Sequence, residues 1–272
     1  MYKWIRIIRP VNALMGFVAT YISGLVGIGL DLRYHLLVAT IAGLCVFLVI
    51  SGGNIINDIS DAESDRINHP NRPIPKGEIN IRDAWVVSLA FFAVAAVLSG
   101  IEISTTAALV VIFAIAVLVG YETRMKGTGL PGNIAISLLV GLIFVFGGLA
   151  VNSISRMILL FLMAFFTNTA REIIKDIQDI KGDVDRKTFP KVHGIQASIV
   201  IIVVTTLTGI AFSILTFLIH VFGIYYFIAV IFADAAFIGS LFMVGRSPEK
   251  SQNFSKLGMI IGLVAFTVGG II

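Results

Sequence analysis

The sequence predicts an all-α, polytopic membrane protein: nine transmembrane helices in one bundle, with two cytoplasmic Asp-rich motif loops after helices 2 and 6. Three observations carry that prediction. Of 272 residues, 57% are hydrophobic and only 13% charged, and the mean hydropathy is +0.98, far from a soluble composition. Apolar runs long enough to cross a hydrocarbon core of about 30 Å recur nearly end to end. Lys and Arg, finally, alternate between the two ends of these runs: eighteen fall on one side, and only Arg33 and Arg156 on the other. That asymmetry sets the N-terminus and both acidic stretches in the cytoplasm and the C-terminus outside, and a missed or extra span would scramble it. The net charge of +4 is therefore a signal of topology rather than of nucleic-acid binding. No β-barrel is expected, because the runs lack the period-two alternation of barrel strands.

In chain order, residues 1–10 read as a short amphipathic lead-in at the interface, with Trp4 at headgroup level and Arg6 and Arg9 toward water or lipid phosphate. Pro10 suits the opening of helix 1, over 11–30, because a first-turn residue needs no N–H. This helix is expected to stay as an uncleaved anchor, and its glycines offer small surfaces for close helix contact. Helix 2, over 35–57, holds the single cysteine, Cys45, so no disulfide is possible. It ends in Ser51-Gly52-Gly53-Asn54, where the glycine pair permits a bend or a close backbone approach. Helices 3 to 6 are expected over 84–101, 104–121, 130–151 and 154–174, and helices 7 to 9 over 196–219, 222–244 and 254–272. The chain, 1–272, reads as a single integral membrane domain with motif loops over 58–83 and 172–195. Asp234 falls near the middle of helix 8, where an ionisable group is costly and is expected to face the bundle interior or a cavity.

Eleven of the sixteen acids lie in residues 58–83 and 172–185. Asp58, Asp61 and Asp65 recur as Asp176, Asp179 and Asp183, each 118 positions later. Spacing of three and then four puts each set on one helical face over about two turns. Carboxylates stacked in that way repel, so the pattern calls for cations, and oxygen-only ligands suit hard divalent ions. Asn54 and Asn57 add neutral oxygens to the first set. Two such clusters at the mouth of a bundle suit a diphosphate bridged by Mg²⁺, with basic side chains touching the phosphate oxygens. The candidates for that contact are Arg72, Lys76, Lys126, Arg171, Lys175 and Lys187.

Asn57-Asp58-x-x-Asp61-x-x-x-Asp65 is followed by His69-Pro-Asn-Arg72-Pro-Ile-Pro-x-Gly77 and Tyr121-x-x-x-x-Lys126, and then by Arg171-Glu-Ile-Ile-Lys175-Asp176-Ile-Gln-Asp179-Ile-Lys-Gly-Asp183 and Lys187-Thr-Phe-Pro190. Together these resemble the UbiA superfamily of intramembrane prenyltransferases over the whole chain. The opening Arg9-Pro10-Val-Asn12-Ala-Leu-Met is most similar to the archaeal branch whose acceptor is the hydroxyl of geranylgeranylglyceryl phosphate. The resemblance implies an allylic polyprenyl diphosphate donor, a lipid-like acceptor, surrounding membrane lipid, and neither nucleic acid nor a protein partner. It implies two Mg²⁺ ions, one on Asn57, Asp58, Asp61 and Asp65 and the other on Asp176, Asp179 and Asp183. These carboxylates would promote ionisation to an allylic cation. Arg72, Lys126 and Lys175 are the expected diphosphate contacts, and Arg9 and Lys187 the expected contacts to the acceptor phosphate. Asn12, Asn54, Tyr121, Lys76 and Arg171 complete the expected substrate-binding set. No general base stands out, although His69 and His193 lie on the right side.

Two other functions fit parts of the pattern. An aromatic acceptor, such as 4-hydroxybenzoate, a naphthoate or a haem vinyl group, would keep the mechanism and need no second phosphate site. Cation transport would use the acids as a selectivity device with Asp234 on the pathway, but inverted repeats would place related motifs on opposite sides, and these lie on the same side.

Overall fold

The computed structural model describes residues 2–180 and 186–271. Within them the chain forms α1 (Tyr2–Ile8), α2 (Pro10–Ile28), α3 (Leu36–Ser60), α4 (Ala62–Asn68), α5 (Ile81–Glu102), α6 (Thr105–Gly120), α7 (Leu130–Ala150), α8 (Met157–Gln178), α9 (Phe189–Leu218), α10 (Ile224–Val244) and α11 (Pro248–Ile271). All but α1 and α4 are long and apolar enough to span a membrane, giving the expected nine among the described residues. Their ends follow local chemistry. Prolines stand in the first turns of α2, α7 and α9, where a missing N–H costs nothing. At the start of α6 the Ser104 hydroxyl accepts from the Ala107 N–H at 3.1 Å.

Consecutive spans are neighbours, and α11 packs on both α10 and α2, so the bundle closes into a ring with α2 and α7 in contact across it. That contact depends on Gly147, where a Cβ would come within 2.7 Å of the Thr20 carbonyl oxygen. Two apolar clusters fill the ring. One, where α8, α10 and α11 meet α2 and α7, is rich in aromatics, including Phe222, Tyr226 and Phe266. The other, among α3, α5, α6 and α7, consists mainly of small and branched residues.

The structure corrects the expectation that the acids lie in loops. Helix α3 runs on to Ser60, and α4 resumes after a one-residue break at Asp61. Backbone bonds from the Asp61 N–H to Asn57 and from the Asp65 N–H to Asp61, 2.9 and 2.8 Å, carry the helical register across the break. Likewise α8 continues to Gln178. The apolar run stops at the membrane edge, but the helix does not: its next turns turn polar groups toward the mouth of the bundle. Asp183 lies outside the described residues. Asp234 does not reach the cavity described below; it is buried between α9 and α10 and accepts a 2.7 Å hydrogen bond from Ser213.

Candidate functional site at the mouth of the bundle

A cavity of about 440 Å³ lies between α3, α6 and α7, roofed by the start of α2 and the end of α8. Val46, Ile50, Gly53 and Asn57 line it from α3 at helical spacing, so one face of that helix passes from apolar depth to polar mouth. Across from it, α6 ends in a π-helical turn, Tyr121–Met125, which carries Tyr121, Glu122 and Lys126 onto the cavity. Such turns are rare and concentrate at functional sites. The connection to α7 then reverses at Gly129, whose φ of 78° and 3.0 Å Cβ approach to the Phe189 nitrogen both favour glycine.

Each carboxylate of the first acid set is held by a cation from another part of the chain. Arg9 pairs with Asp58 and donates to the Asn57 Oδ1 at 3.2 Å. Its backbone is left-handed, with φ 49° and ψ 67°, at the corner between α1 and α2; strain of about 1–3 kcal/mol is tolerated where other contacts fix the conformation. Arg72 bonds Asp65 at 2.6 Å and lies 3.7 Å from Asp58. Lys126 donates to Asp61 at 2.7 Å and to Glu122 at 2.9 Å, and Arg186 reaches the other Asp61 oxygen at 3.1 Å. Asn57 donates to both Glu122 oxygens, at 3.0 and 3.2 Å. In the second set, Asn133 of α7 donates to Asp176 at 2.9 Å, while Glu172 takes Arg171 at 2.7 Å and Lys175 at 4.0 Å.

The expected site residues therefore divide. Arg9, Asn12, Asn54, Asn57, Tyr121, Lys126, Lys175, Asp176 and Asp179 line the cavity. Asp58, Asp61 and Asp65 do not: Asp58 and Asp65 are 2% and 3% exposed and turned toward Arg9 and Arg72, and Asp61 sits behind the lining residues Lys126 and Arg186. Arg72 is occupied by Asp58 and Asp65 and stays off the cavity, and Arg171 is spent on Glu172. Lys76 is paired at 2.8 Å with Glu78, whose carboxyl it holds below its usual range, and Lys187 is exposed. Asn54 lines the cavity wall while its amide ties α3 to the Ile8 carbonyl at the end of α1.

Sequence reasoning did not single out Glu122, Asn133, Arg186 or Thr188, all of which line the cavity. Glu122 stands four residues before Lys126, the favoured order of a helical ion pair. Asn133 was legible as a repeat, since Pro131-Gly132-Asn133 opens α7 as Pro10-Val11-Asn12 opens α2. Thr188 is 3% exposed and its hydroxyl has no partner among the described residues.

The donors at the mouth are all oxygens, which fits a hard divalent cation. Among the described residues no three Asp, Glu, His or Cys side chains are gathered closely enough to hold a metal by themselves. The set therefore suits Mg²⁺ held by one or two carboxylates together with phosphate oxygens of a ligand, the common arrangement for that ion. Beneath the mouth lies an apolar shaft, so the cavity as a whole fits an amphiphile with an anionic head.

Known proteins resemble this chain in sequence and fold. A profile described as the UbiA prenyltransferase family matches residues 13–264. Digeranylgeranylglyceryl phosphate synthase of Methanosphaera stadtmanae is 36% identical over 278 aligned positions, covering 100% of both chains. The protein of that name from Methanothermobacter thermautotrophicus is 35% identical over 99% of this chain and 96% of its own. A solved structure, described as giving structural and mechanistic insights into the biosynthesis of digeranylgeranylglyceryl phosphate synthase in membranes, superposes with a TM-score of 0.87 at 30% identity, covering 99% of this chain and 98% of that one. A UbiA homologue from Archaeoglobus fulgidus, bound to GPP and Mg²⁺, gives a TM-score of 0.70 at 20% identity over 98% and 100%, a likeness of fold. With the family profile covering nearly the whole length and the relatives aligned end to end, the chain belongs to the UbiA prenyltransferase family.

Proposed function

We propose that this protein transfers a geranylgeranyl group from geranylgeranyl diphosphate to the hydroxyl of geranylgeranylglyceryl phosphate, releasing diphosphate and forming digeranylgeranylglyceryl phosphate. The observation that carries the reading is a charged mouth set over an apolar shaft, in a chain aligned end to end with relatives of that name. Lys126, Lys175 and Arg186 hold the diphosphate at the mouth, and Thr188 offers its hydroxyl there. The shaft holds the prenyl chain and keeps water from the allylic carbon. Asn57, Asp61 and Glu122 on one side, and Asp176 and Asp179 on the other, would hold Mg²⁺, which supplies charge neutralisation for the leaving diphosphate. Two ions are proposed from the two acid sets. As the allylic C1–O bond breaks, the electron pair leaves with the diphosphate and the lysines receive the growing charge. The acceptor oxygen then bonds to C1, and its proton becomes acidic as that bond forms.

Arg9 and Asn12, at the corner of the mouth, are the proposed contacts to the acceptor phosphate. The mouth and the N-terminus face the cytoplasm and the C-terminus faces outward, a proposal supported by the distribution of Lys and Arg. The test is product formation by purified protein in detergent with Mg²⁺ and geranylgeranyl diphosphate. Either geranylgeranylglyceryl phosphate or 4-hydroxybenzoate is supplied as acceptor, and Asp61→Ala and Asp179→Ala serve as controls. Ether product that is lost in both variants supports the reading. Product with the aromatic alone overturns the acceptor, and absence of diphosphate release under either pairing overturns the enzyme.

A further inference from the structure

At the end of the cavity away from the mouth, one aromatic ring stands among the lining residues. This ring, Phe146 of α7, is 3% exposed and belongs to the cluster beneath the shaft. It is the one aromatic in that cluster among the described residues; its buried neighbours there include Ala42, Cys45, Ala95, Ala107 and Ala150. The shaft above it is walled by branched side chains. A ring over a bed of small residues is a stopper, because the space under it can be filled only by removing it.

Depth can be read along α7. Asn133, which bonds Asp176 at the mouth, and Phe146 stand thirteen positions apart, about 20 Å at 1.5 Å per residue. A chain of four isoprene units has sixteen main-chain carbons, which extend to about 20 Å at carbon–carbon bonds near 1.5 Å. With the diphosphate at the level of Asn57 and Asp176, the last isoprene unit of a geranylgeranyl group meets the Phe146 ring. A fifth unit would need the volume that the ring occupies.

We propose that Phe146 sets the donor's chain length, admitting four isoprene units and excluding a fifth. The proposal rests on the donor class assigned above. Its test is the binding of geranyl, farnesyl, geranylgeranyl and farnesylgeranyl diphosphates in Mg²⁺ without acceptor, alongside kcat/KM for transfer. The native protein should prefer the C20 donor over the C25 donor by about tenfold or more, since a terminal group that cannot enter an apolar site is rejected at least that strongly. Phe146→Ala should abolish or invert that preference. Ile143→Phe, which places a ring one turn nearer the mouth, should move the preference toward the C15 donor, and it tests the shaft even if the alanine variant does not fold. Unchanged C25/C20 ratios in Phe146→Ala, or an unchanged C15/C20 ratio in Ile143→Phe, would overturn the ruler while leaving the function standing. A native protein that binds no prenyl diphosphate at all would sink the donor reading and the ruler with it.

Discussion

Replacing Lys126 by Met keeps most of the unbranched side chain and removes its charge. Lys126 is the cation that joins the π turn to α3: its ammonium lies 2.7 Å from Asp61 and 2.9 Å from Glu122, and its side chain is only 12% exposed. Both carboxylates keep a partner without it, Asp61 through Arg186 and Glu122 through Asn57, so the fold should survive. A unit charge about 4 Å from a diphosphate, at an effective dielectric near 20, contributes about 4 kcal/mol. Part of that attraction already acts on the bound donor and appears in KM. We assign about half, near 2 kcal/mol, to the charge that grows as the C–O bond breaks, which corresponds to about 30-fold in kcat. Initial rates of diphosphate release at saturating and limiting donor separate the two parts. Lys126→Met should lower kcat about 30-fold and raise KM as well, with little change in thermal inactivation. A kcat within about threefold of the native value would refute the placement of the diphosphate beside Lys126.

Three further outcomes follow from the same geometry. Asn133→Ala removes the 2.9 Å hydrogen bond to Asp176, so the Mg²⁺ concentration for half-maximal activity should rise by about 10- to 100-fold, as when a ligand's orienting partner is lost; an unchanged Mg²⁺ titration would take Asp176 out of the metal set. Arg72→Ala leaves the buried Asp65 without its 2.6 Å partner, while Asp58 keeps Arg9. Because Arg72 is itself 30% exposed, we expect the low end of the usual range, about 3 kcal/mol of destabilisation, partly recovered in the Arg72→Ala/Asp65→Asn double variant and measured by urea or thermal unfolding in detergent. Gly147→Ala should cost about 1–3 kcal/mol by forcing α7 from the Thr20 carbonyl, whereas Gly262→Ala, with open space at its Cβ, should not lower the midpoint of inactivation.

Span number and order were legible because they depend on run length and on charge counted by side, both of which are properties of sequence alone. The helix ends were less so. Residues 58–68 are too polar to continue a membrane span, yet the backbone there still closes helical bonds, and polarity reads as a loop only when nothing opposite needs those side chains. The acid sets were legible from their repeat, but their partners were not. Which arginine faces which aspartate depends on the left-handed corner at Arg9 and on where the chain returns after α4, and neither has a pattern in the sequence. Lys126 comes back to α3 because the chain past Gly120 keeps turning, as a π-helical turn, before it leaves for α7. Glu122 went unnoticed beside it because a lone acid at a membrane edge is ordinarily solvent-facing.

The 118-residue repeat also explains why both acid sets meet at one mouth. Shifted by that offset, α3, α5, α6 and α7 fall on α8, α9, α10 and α11. An interval of four spans returns the chain to the same direction, so both acid-bearing helices end at one mouth instead of at opposite faces. Duplication by itself would supply two equivalent spaces, one among α3, α6 and α7 and the other among α8, α10 and α11. The first is the cavity, its walls built from Val, Ile, Ala and Leu with one ring at the bottom. The second is filled by the aromatic cluster, in which the rings of Phe222, Tyr226 and Phe266 have centroids within 6.5 Å of one another and two methionines of α8, with Phe144 of α7, complete the filling. Side-chain volume thus decides which half holds the cavity. The packed half supplies rigidity and the end of α8, with Asp176 and Asp179, to a mouth whose cavity belongs to the other.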